Sequence, residues 1–137
     1  IGQPTAEHAK ITVGAAIPQD QQLSIEVQGQ DQVTSLPRPV VITTDDIVEA
    51  LQEPLTDLVK VVKRVLEKTP PELVSDIIDR GAALCGGGSL LRGIDKFLTR
   101  SIGIPVYMVD NPLTCTVEGA VKALEMKDLL KRSLANG

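Results

Sequence analysis

The sequence has no tryptophan, and its only other large aromatics are Phe97 and Tyr107. A core must therefore be assembled from Leu, Ile, Val and Ala, and a platform of stacked aromatics for single-stranded nucleic acid is excluded. Basic runs are missing as well. The 14 Lys and Arg are outnumbered by 18 Asp and Glu, for a formal charge of −4, which is not the footprint of a nucleic-acid binder. No apolar stretch approaches the roughly 20 residues that a membrane-crossing helix needs. Cys85 and Cys115 form no CxxC, and His8 is the single histidine, too few ligands for a structural zinc site. Both cysteines are read as reduced thiols of a cytosolic protein. The chain opens on Ile1-Gly2 without an initiator Met or an apolar leader, and it is expected to be a piece of a longer protein. What is present suits a globular domain: 137 residues, 42% apolar and 23% charged, enough for a core without metal or disulfides.

The first helix signal runs over 4–17, with Thr5 or Gln3 as N-cap and Gly14 and Pro18 as stops. Leu23, Ile25 and Val27 alternate with Ser24, Glu26 and Gln28, as in a half-buried antiparallel strand. After a turn from Gly29 to Pro37, Pro39 to Thr43 offers the return strand. Thr44-Asp45-Asp46 caps a helix whose apolar positions Ile47, Leu51, Leu55, Leu58, Val62 and Val65 keep helical spacing to about Lys68. Pro54 predicts either a kink or a short helix followed by a long one. Thr69-Pro70-Pro71-Glu72 reads as a Thr-capped start of another helix that stops at Gly81. The pattern then becomes α/β. Ala82-Ala83-Leu84-Cys85 lacks alternation, as a strand covered on both faces would. Gly86-Gly87-Gly88 leads into a helix from Ser89 to Gly103, and Pro105 to Val109 is the next, parallel strand. Asp110-Asn111-Pro112 breaks it, and Thr114 caps a last helix that extends toward Leu134.

Three glycines between a strand and a helix have two readings. Without Cβ atoms a backbone accepts positive φ and lets a flat ligand lie on the peptide planes, beside free N–H groups of the following helix. Gly87 is then expected in the left-handed region. The other reading is a tight turn with no ligand, since the stretch is neither GxGxxG nor a Walker loop. Glu7 and Lys10, three apart, share a helix face, as a solvated ion pair or as a ligand grip. His8 is expected on the exposed side. No nucleophile and base stand together, and Asp45, Asp46, Asp76 and Asp79 suit caps and helix faces better than metal ligands. The mildly basic, amphipathic 126–134 segment fits a packed C-terminal helix better than a membrane contact.

Five stretches together carry a family resemblance: Thr5-Ala6-Glu7-His8-Ala9-Lys10; Val40 to Thr44 running into Asp46-Ile47; Thr69-Pro70-Pro71-Glu72-Leu73; Gly86-Gly87-Gly88-Ser89-Leu90-Leu91-Arg92-Gly93; and Asp110-Asn111-Pro112-Leu113-Thr114-Cys115. In order and spacing, over nearly the whole chain, they resemble the MreB family of bacterial actin homologues. The resemblance implies an actin-like ATPase (ribonuclease H-like) lobe fragment. Residues 1–68 would be a small α+β outer subdomain of the second lobe, and 69–137 the inner subdomain beside the nucleotide. It implies a protein that binds ATP, polymerises beneath the cell membrane and guides cell-wall (peptidoglycan) synthesis to maintain rod shape. Its partners would be its own protomers and cell-elongation proteins at the membrane, in the cytoplasm at the inner face of that membrane.

Carried over by position, Glu7 and Lys10 match the family's pair that grips ribose and adenine, and Gly86, Gly87, Gly88 and Ser89 match the loop that cradles the adenosine. His8 stands where many relatives carry Lys. The family's phosphate-binding hairpins, its Mg²⁺ carboxylates and its membrane-inserting segments have no counterpart here. ATP with Mg²⁺ thus belongs to the full-length parent, and this chain is expected to hold the adenosine half-site without catalytic residues. Two other readings remain. One is a non-catalytic α/β interaction module. The other is a different actin-superfamily ATPase, of chaperone or plasmid-partition type, against which 69–72 and 110–115 speak. The inner sheet is expected to leave an unpaired strand edge near 82–85 or 106–109.

Overall fold

In a computed structural model, residues 1–127 and 131 are described. Helix α1 spans Gln3–Val13. Its N-cap is Gly2, in extended backbone and without a side-chain cap bond, so Thr5 and Gln3 lie inside the helix rather than capping it. Pro4 takes a first-turn position where its missing N–H costs nothing. The helix ends at Gly14, whose N–H donates to the Lys10 carbonyl at 2.9 Å, earlier than the expected end. The chain turns extended there because Ala15 forms a parallel bridge with Arg92, and Ala15 and Ala16 become wholly buried. A Cβ at Gly14 would run into the Lys10 carbonyl oxygen.

Strands β1 (Ser24–Gln30) and β2 (Pro37–Thr43) form an antiparallel hairpin, in register from Ser24 opposite Thr43 to Gln30 opposite Pro37. The alternation survives: Val27 is buried and Ile25 half-buried. Pro37 and Pro39 are tolerated because β2 is an edge strand. In the connecting turn, Asp31 Oδ1 accepts from the Val33 and Thr34 N–H groups, both at 2.9 Å.

Helix α2 covers Thr44–Glu67. Its cap is Thr43, one residue earlier than expected. Thr43 Oγ1 accepts from the Asp46 N–H at 3.3 Å, while Asp46 Oδ2 accepts from the Thr43 N–H at 2.8 Å. Thr44 instead is buried, and its Oγ1 accepts from the Leu23 N–H at 3.0 Å, tying the helix start to the hairpin. Pro54 sits inside one continuous helix rather than dividing two. Burial of Leu55 and Val59 on the next turn holds the helix past the bond that Pro54 cannot make.

Helix α3 (Pro71–Arg80) starts after Pro70 with no side-chain cap. Thr69, expected to cap it, instead donates its hydroxyl to the Val65 carbonyl at 2.8 Å, closing the end of α2. Gly81 terminates α3 with φ +82°. Strands β3 (Ala82–Leu84) and β4 (Val106–Met108) pair in parallel, Ala82 opposite Val106 through Leu84 opposite Met108. Contrary to the expectation for β3, Ala83 is exposed and Ala82 and Leu84 only half-buried, because among the described residues this sheet has just two strands. Each strand therefore keeps one unpaired edge among the described residues. The helix expected from Ser89 is delayed. Gly87–Leu90 is a 3₁₀ turn, and α4 runs over Ile94–Ile102. The break is Gly93, left-handed at φ +75°. Gly103, also left-handed, ends α4.

The core sits where α2, α4 and the 14–17 segment meet. Ala16, Leu55, Val59, Ile94 and Leu98 form its buried centre, with Leu51, Leu84, Phe97 and Val106 packed around it. Helix α5 (Cys115–Glu125) follows Thr114, whose hydroxyl donates to Glu118 Oε1 at 2.6 Å instead of capping a backbone group. Neither α3 nor α5 buries a residue. The expected extension toward Leu134, and most of the amphipathic 126–134 segment, lies outside the described residues.

Candidate functional site: an ion pair on α1 and an open glycine turn

The sequence-selected residues fall into two groups. On α1, Lys10 Nζ meets Glu7 Oε2 at 2.7 Å, with side chains 42% and 58% exposed. The pair borders a wide groove of about 600 Å³ whose floor includes Ala6 of α1 and Ile47 and Leu51 of α2. A carboxylate accepts hydrogen bonds from hydroxyls, and a lysine stem packs on an apolar or planar surface while its head stays wet. The groove thus offers a carboxylate, a cation and an apolar floor. His8 is exposed on the same helix.

The second group is the turn after β3. Gly86, at φ +85°, donates its N–H to the Pro112 carbonyl at 2.7 Å. Its own carbonyl accepts from the Ser89 N–H at 3.1 Å and from Ser89 Oγ at 2.7 Å. Ser89 is buried, and its hydroxyl donates within the turn; it shapes the loop, with oxygen lone pairs left as acceptors. The left-handed residue is Gly86, whereas Gly87 keeps an ordinary φ. Gly87 therefore needs no glycine for conformation, and what its lack of a side chain supplies is room. Cβ atoms placed on Gly86 and Gly88 would meet nothing within 4 Å, and one on Gly87 only Leu113 Cδ2 at 3.6 Å.

This turn and the 109–114 loop both leave the carboxyl ends of adjacent parallel strands, the place where open α/β sheets bind ligands. Leu113, 68% exposed beside Gly87, was not singled out by sequence. The signal available was the Asn111-Pro112 break after the second strand. Cys85 and Cys115 are free, and Cys115 Sγ lies 3.7 Å from the Pro112 carbonyl oxygen.

No hydrogen bond joins the Glu7–Lys10 pair directly to the glycine turn among the described residues. They are linked through Arg92, just beyond the turn, whose Nη1 donates to the Thr12 and Gly14 carbonyls at 3.1 and 3.2 Å. Arg92 lay within the GGGSLLRG stretch, but no spacing rule marked it. Among the described residues no cluster of His, Cys, Asp or Glu is arranged to hold a metal ion. Asp46 is committed to its capping box: the Thr43 hydroxyl, then the Thr43 N–H, holds its carboxyl below the ordinary value of 3.8. Asp31 is held down likewise by the Thr34 and Val33 N–H groups.

Comparison with known proteins identifies the family. The family model "MreB/Mbl protein" matches residues 1–132. The cell shape-determining protein MreB of Escherichia coli (strain K12) is 48% identical over 129 residues, 94% of this chain and 37% of that protein. The cell shape-determining protein Mbl of Bacillus subtilis (strain 168) is 41% identical over 136 residues, 98% of this chain and 41% of that protein. The crystal structure of MreB5 of Spiroplasma citri bound to ADP superposes with a TM-score of 0.86 at 33% identity, over 100% of this chain and 41% of that one. The same protein bound to AMPPNP also gives 0.86. The chain spans about two fifths of the length of these relatives. With an actin-like lobe fold and a family match over almost its entire length, the chain belongs to the MreB/Mbl family.

Proposed function

We propose that this chain carries the adenosine half of the nucleotide site in an ATP-binding, filament-forming bacterial actin homologue. The observation that carries the reading is the open space over the Gly86–Gly88 backbone, where Cβ atoms would meet almost nothing. A purine face can lie on such peptide planes. The Glu7 carboxylate is suited to accept hydrogen bonds from ribose hydroxyls, and the Lys10 stem to pack against the base. The MreB5 structures of Spiroplasma citri, named as bound to ADP and to AMPPNP, support the ligand class.

The described residues offer no carboxylate cluster fit for Mg²⁺. Phosphoryl transfer rests on positioning and charge stabilisation of the phosphates, so hydrolysis is assigned to the full-length protein. This chain alone should bind ATP no more tightly than adenosine, without dependence on Mg²⁺. Within the lobe, 1–68 is the outer subdomain and 69–137 the inner one. The full-length protein assembles with its own copies and works with cell-elongation proteins, at the inner face of the cytoplasmic membrane, to guide wall synthesis. The relatives' names as cell shape-determining proteins support that role. No described helix is long and apolar enough to cross a membrane, and membrane contact is assigned to parts outside this chain.

Electron microscopy of the full-length protein with and without ATP tests the proposal. Filaments that form with ATP and fade without it are expected. A protein that neither binds adenine nucleotides nor polymerises would overturn it.

A further inference from the structure

We infer that Arg92 is a positioning residue of this site, clasping the C-terminal end of α1 and so fixing Glu7 and Lys10 relative to the Gly86–Ser89 turn. The inference rests on the adenosine-site reading above. The last carbonyls of a helix lack intrahelical partners and carry partial negative charge, so a cation is favoured there. Arg92 supplies it from the segment that leaves the glycine turn, with one nitrogen donating to both the Thr12 and the Gly14 carbonyls at 3.1 and 3.2 Å. Its backbone holds the same place: the Arg92 carbonyl accepts from the Ala16 N–H at 2.8 Å, and Ala15 bridges Arg92 in parallel.

Both sides of the clasp are anchored. Ala9, Val13, Ala15 and Ala16 are at most 1% exposed. Next to Arg92, Gly93 is left-handed, and a Cβ there would stand 2.6 Å from Ile17 Cγ1. No carboxylate pairs with Arg92 among the described residues, which leaves its charge to the helix end. The lever is long. At about 1.5 Å per residue, Glu7 stands about 10 Å up the helix from Gly14. A tilt of about 10° at the clasp therefore moves the carboxylate by nearly 2 Å relative to the glycine turn, enough to lose a hydrogen bond.

The test is calorimetric titration of adenosine and of ATP into the full-length protein, held well below each variant's melting temperature. The variants are Arg92→Gln, Arg92→Lys, Glu7→Gln and the Arg92→Gln/Glu7→Gln double. Arg92→Gln is expected to weaken both ligands about tenfold, since a displaced supporting shell misplaces the groups it carries. Arg92→Lys should recover about a third of the lost affinity, because an ammonium restores the charge, but as a strongly hydrated point charge on a flexible stem it holds the helix end less firmly than a guanidinium. The double variant should lose less than the product of the two single losses, as Arg92 acts partly through Glu7. A lower melting temperature with unchanged affinities in Arg92→Gln, or in Arg92→Lys should the former not fold, would overturn the clasp as a positioning device. Losses that multiply independently in the double variant would do the same. If wild type binds adenosine and Glu7→Gln weakens it while the Arg92 variants do not, only the clasp falls. If wild type binds no adenosine, the site reading itself falls with it.

Discussion

Two regions of this molecule use the same kinds of side chain to opposite ends. Around α2, α4 and the 14–17 segment, small and branched residues close on one another: Ala15 and Ala16 are wholly buried and Leu98 is 3% exposed. Around β3, β4, α3 and α5, equally apolar residues face outward, with Leu124 at 74% and Val117 at 66%. The helices of both regions carry apolar stripes, so amphipathic pattern alone does not separate them. What differs is whether, among the described residues, another element is placed to receive the stripe. Two three-residue strands, paired only with each other among the described residues, cannot cover two helices.

The largest expected effect is on association. Unpaired edges and uncovered apolar faces template contacts between copies, so sedimentation of this chain should show mass rising with concentration. A clean monomer at high concentration would mean the outward-facing region is inert. Next comes Leu98→Ala, which should cost about 2–5 kcal/mol in urea unfolding as a core truncation. Leu124→Ala should stay within about 0.5 kcal/mol. Equal losses would erase the distinction between the regions. Gly93→Ala adds a methyl against Ile17 at a left-handed position and should cost about 1–3 kcal/mol. Gly88→Ala, in open space, should leave the melting temperature nearly unchanged. Thr43→Ala, which removes the cap of α2, is expected to cost about 1 kcal/mol.

The acid limb sharpens the last point. The carboxyl of Asp46 titrates below its ordinary 3.8 because the Thr43 hydroxyl and N–H bond its charged form. A depressed carboxylate contributes stability above its unfolded value, and loses that contribution as the pH falls through the folded one. The stability of α2 should therefore decline below about pH 4, and Thr43→Ala should flatten that decline. An unchanged acid profile would show that the cap does not act through Asp46.

The order of elements was legible because each is punctuated. Gly14, Gly81 and Gly103 end helices where expected or close to it, and the strand alternation around Ile25 and Val27 survives in the hairpin. At the start of α2, where two threonines adjoin, the sequence points to a cap one residue too late. Thr43 and Thr44 offer the same hydroxyl, and only the long-range bond of Thr44 to the Leu23 N–H decides which one caps. Thr69 stays with the preceding helix for a local reason, its hydroxyl donating to the Val65 carbonyl four residues back. The two halves of the candidate site rest on family resemblance rather than on local chemistry, since an ion pair on a helix and a run of glycines are each ambiguous alone. Arg92 was not legible, because its role depends on carbonyls far away in sequence, at the end of α1.

Glu7→Gln should change stability little, since exposed ion pairs contribute at most about 1 kcal/mol; its consequence should appear in binding instead. The same holds for Gly87→Val, because Gly87 keeps an ordinary φ and a branched side chain there incurs no left-handed strain. Titration of adenosine and of ATP into the full-length protein and these two variants is the most direct test of the central claim. Both variants should keep the wild-type melting temperature within a few degrees and weaken adenosine and ATP by a similar factor, because neither residue is assigned to the phosphates. Folded variants that bind both ligands as tightly as wild type would contradict it, leaving the glycines a plain turn and Glu7–Lys10 a surface ion pair.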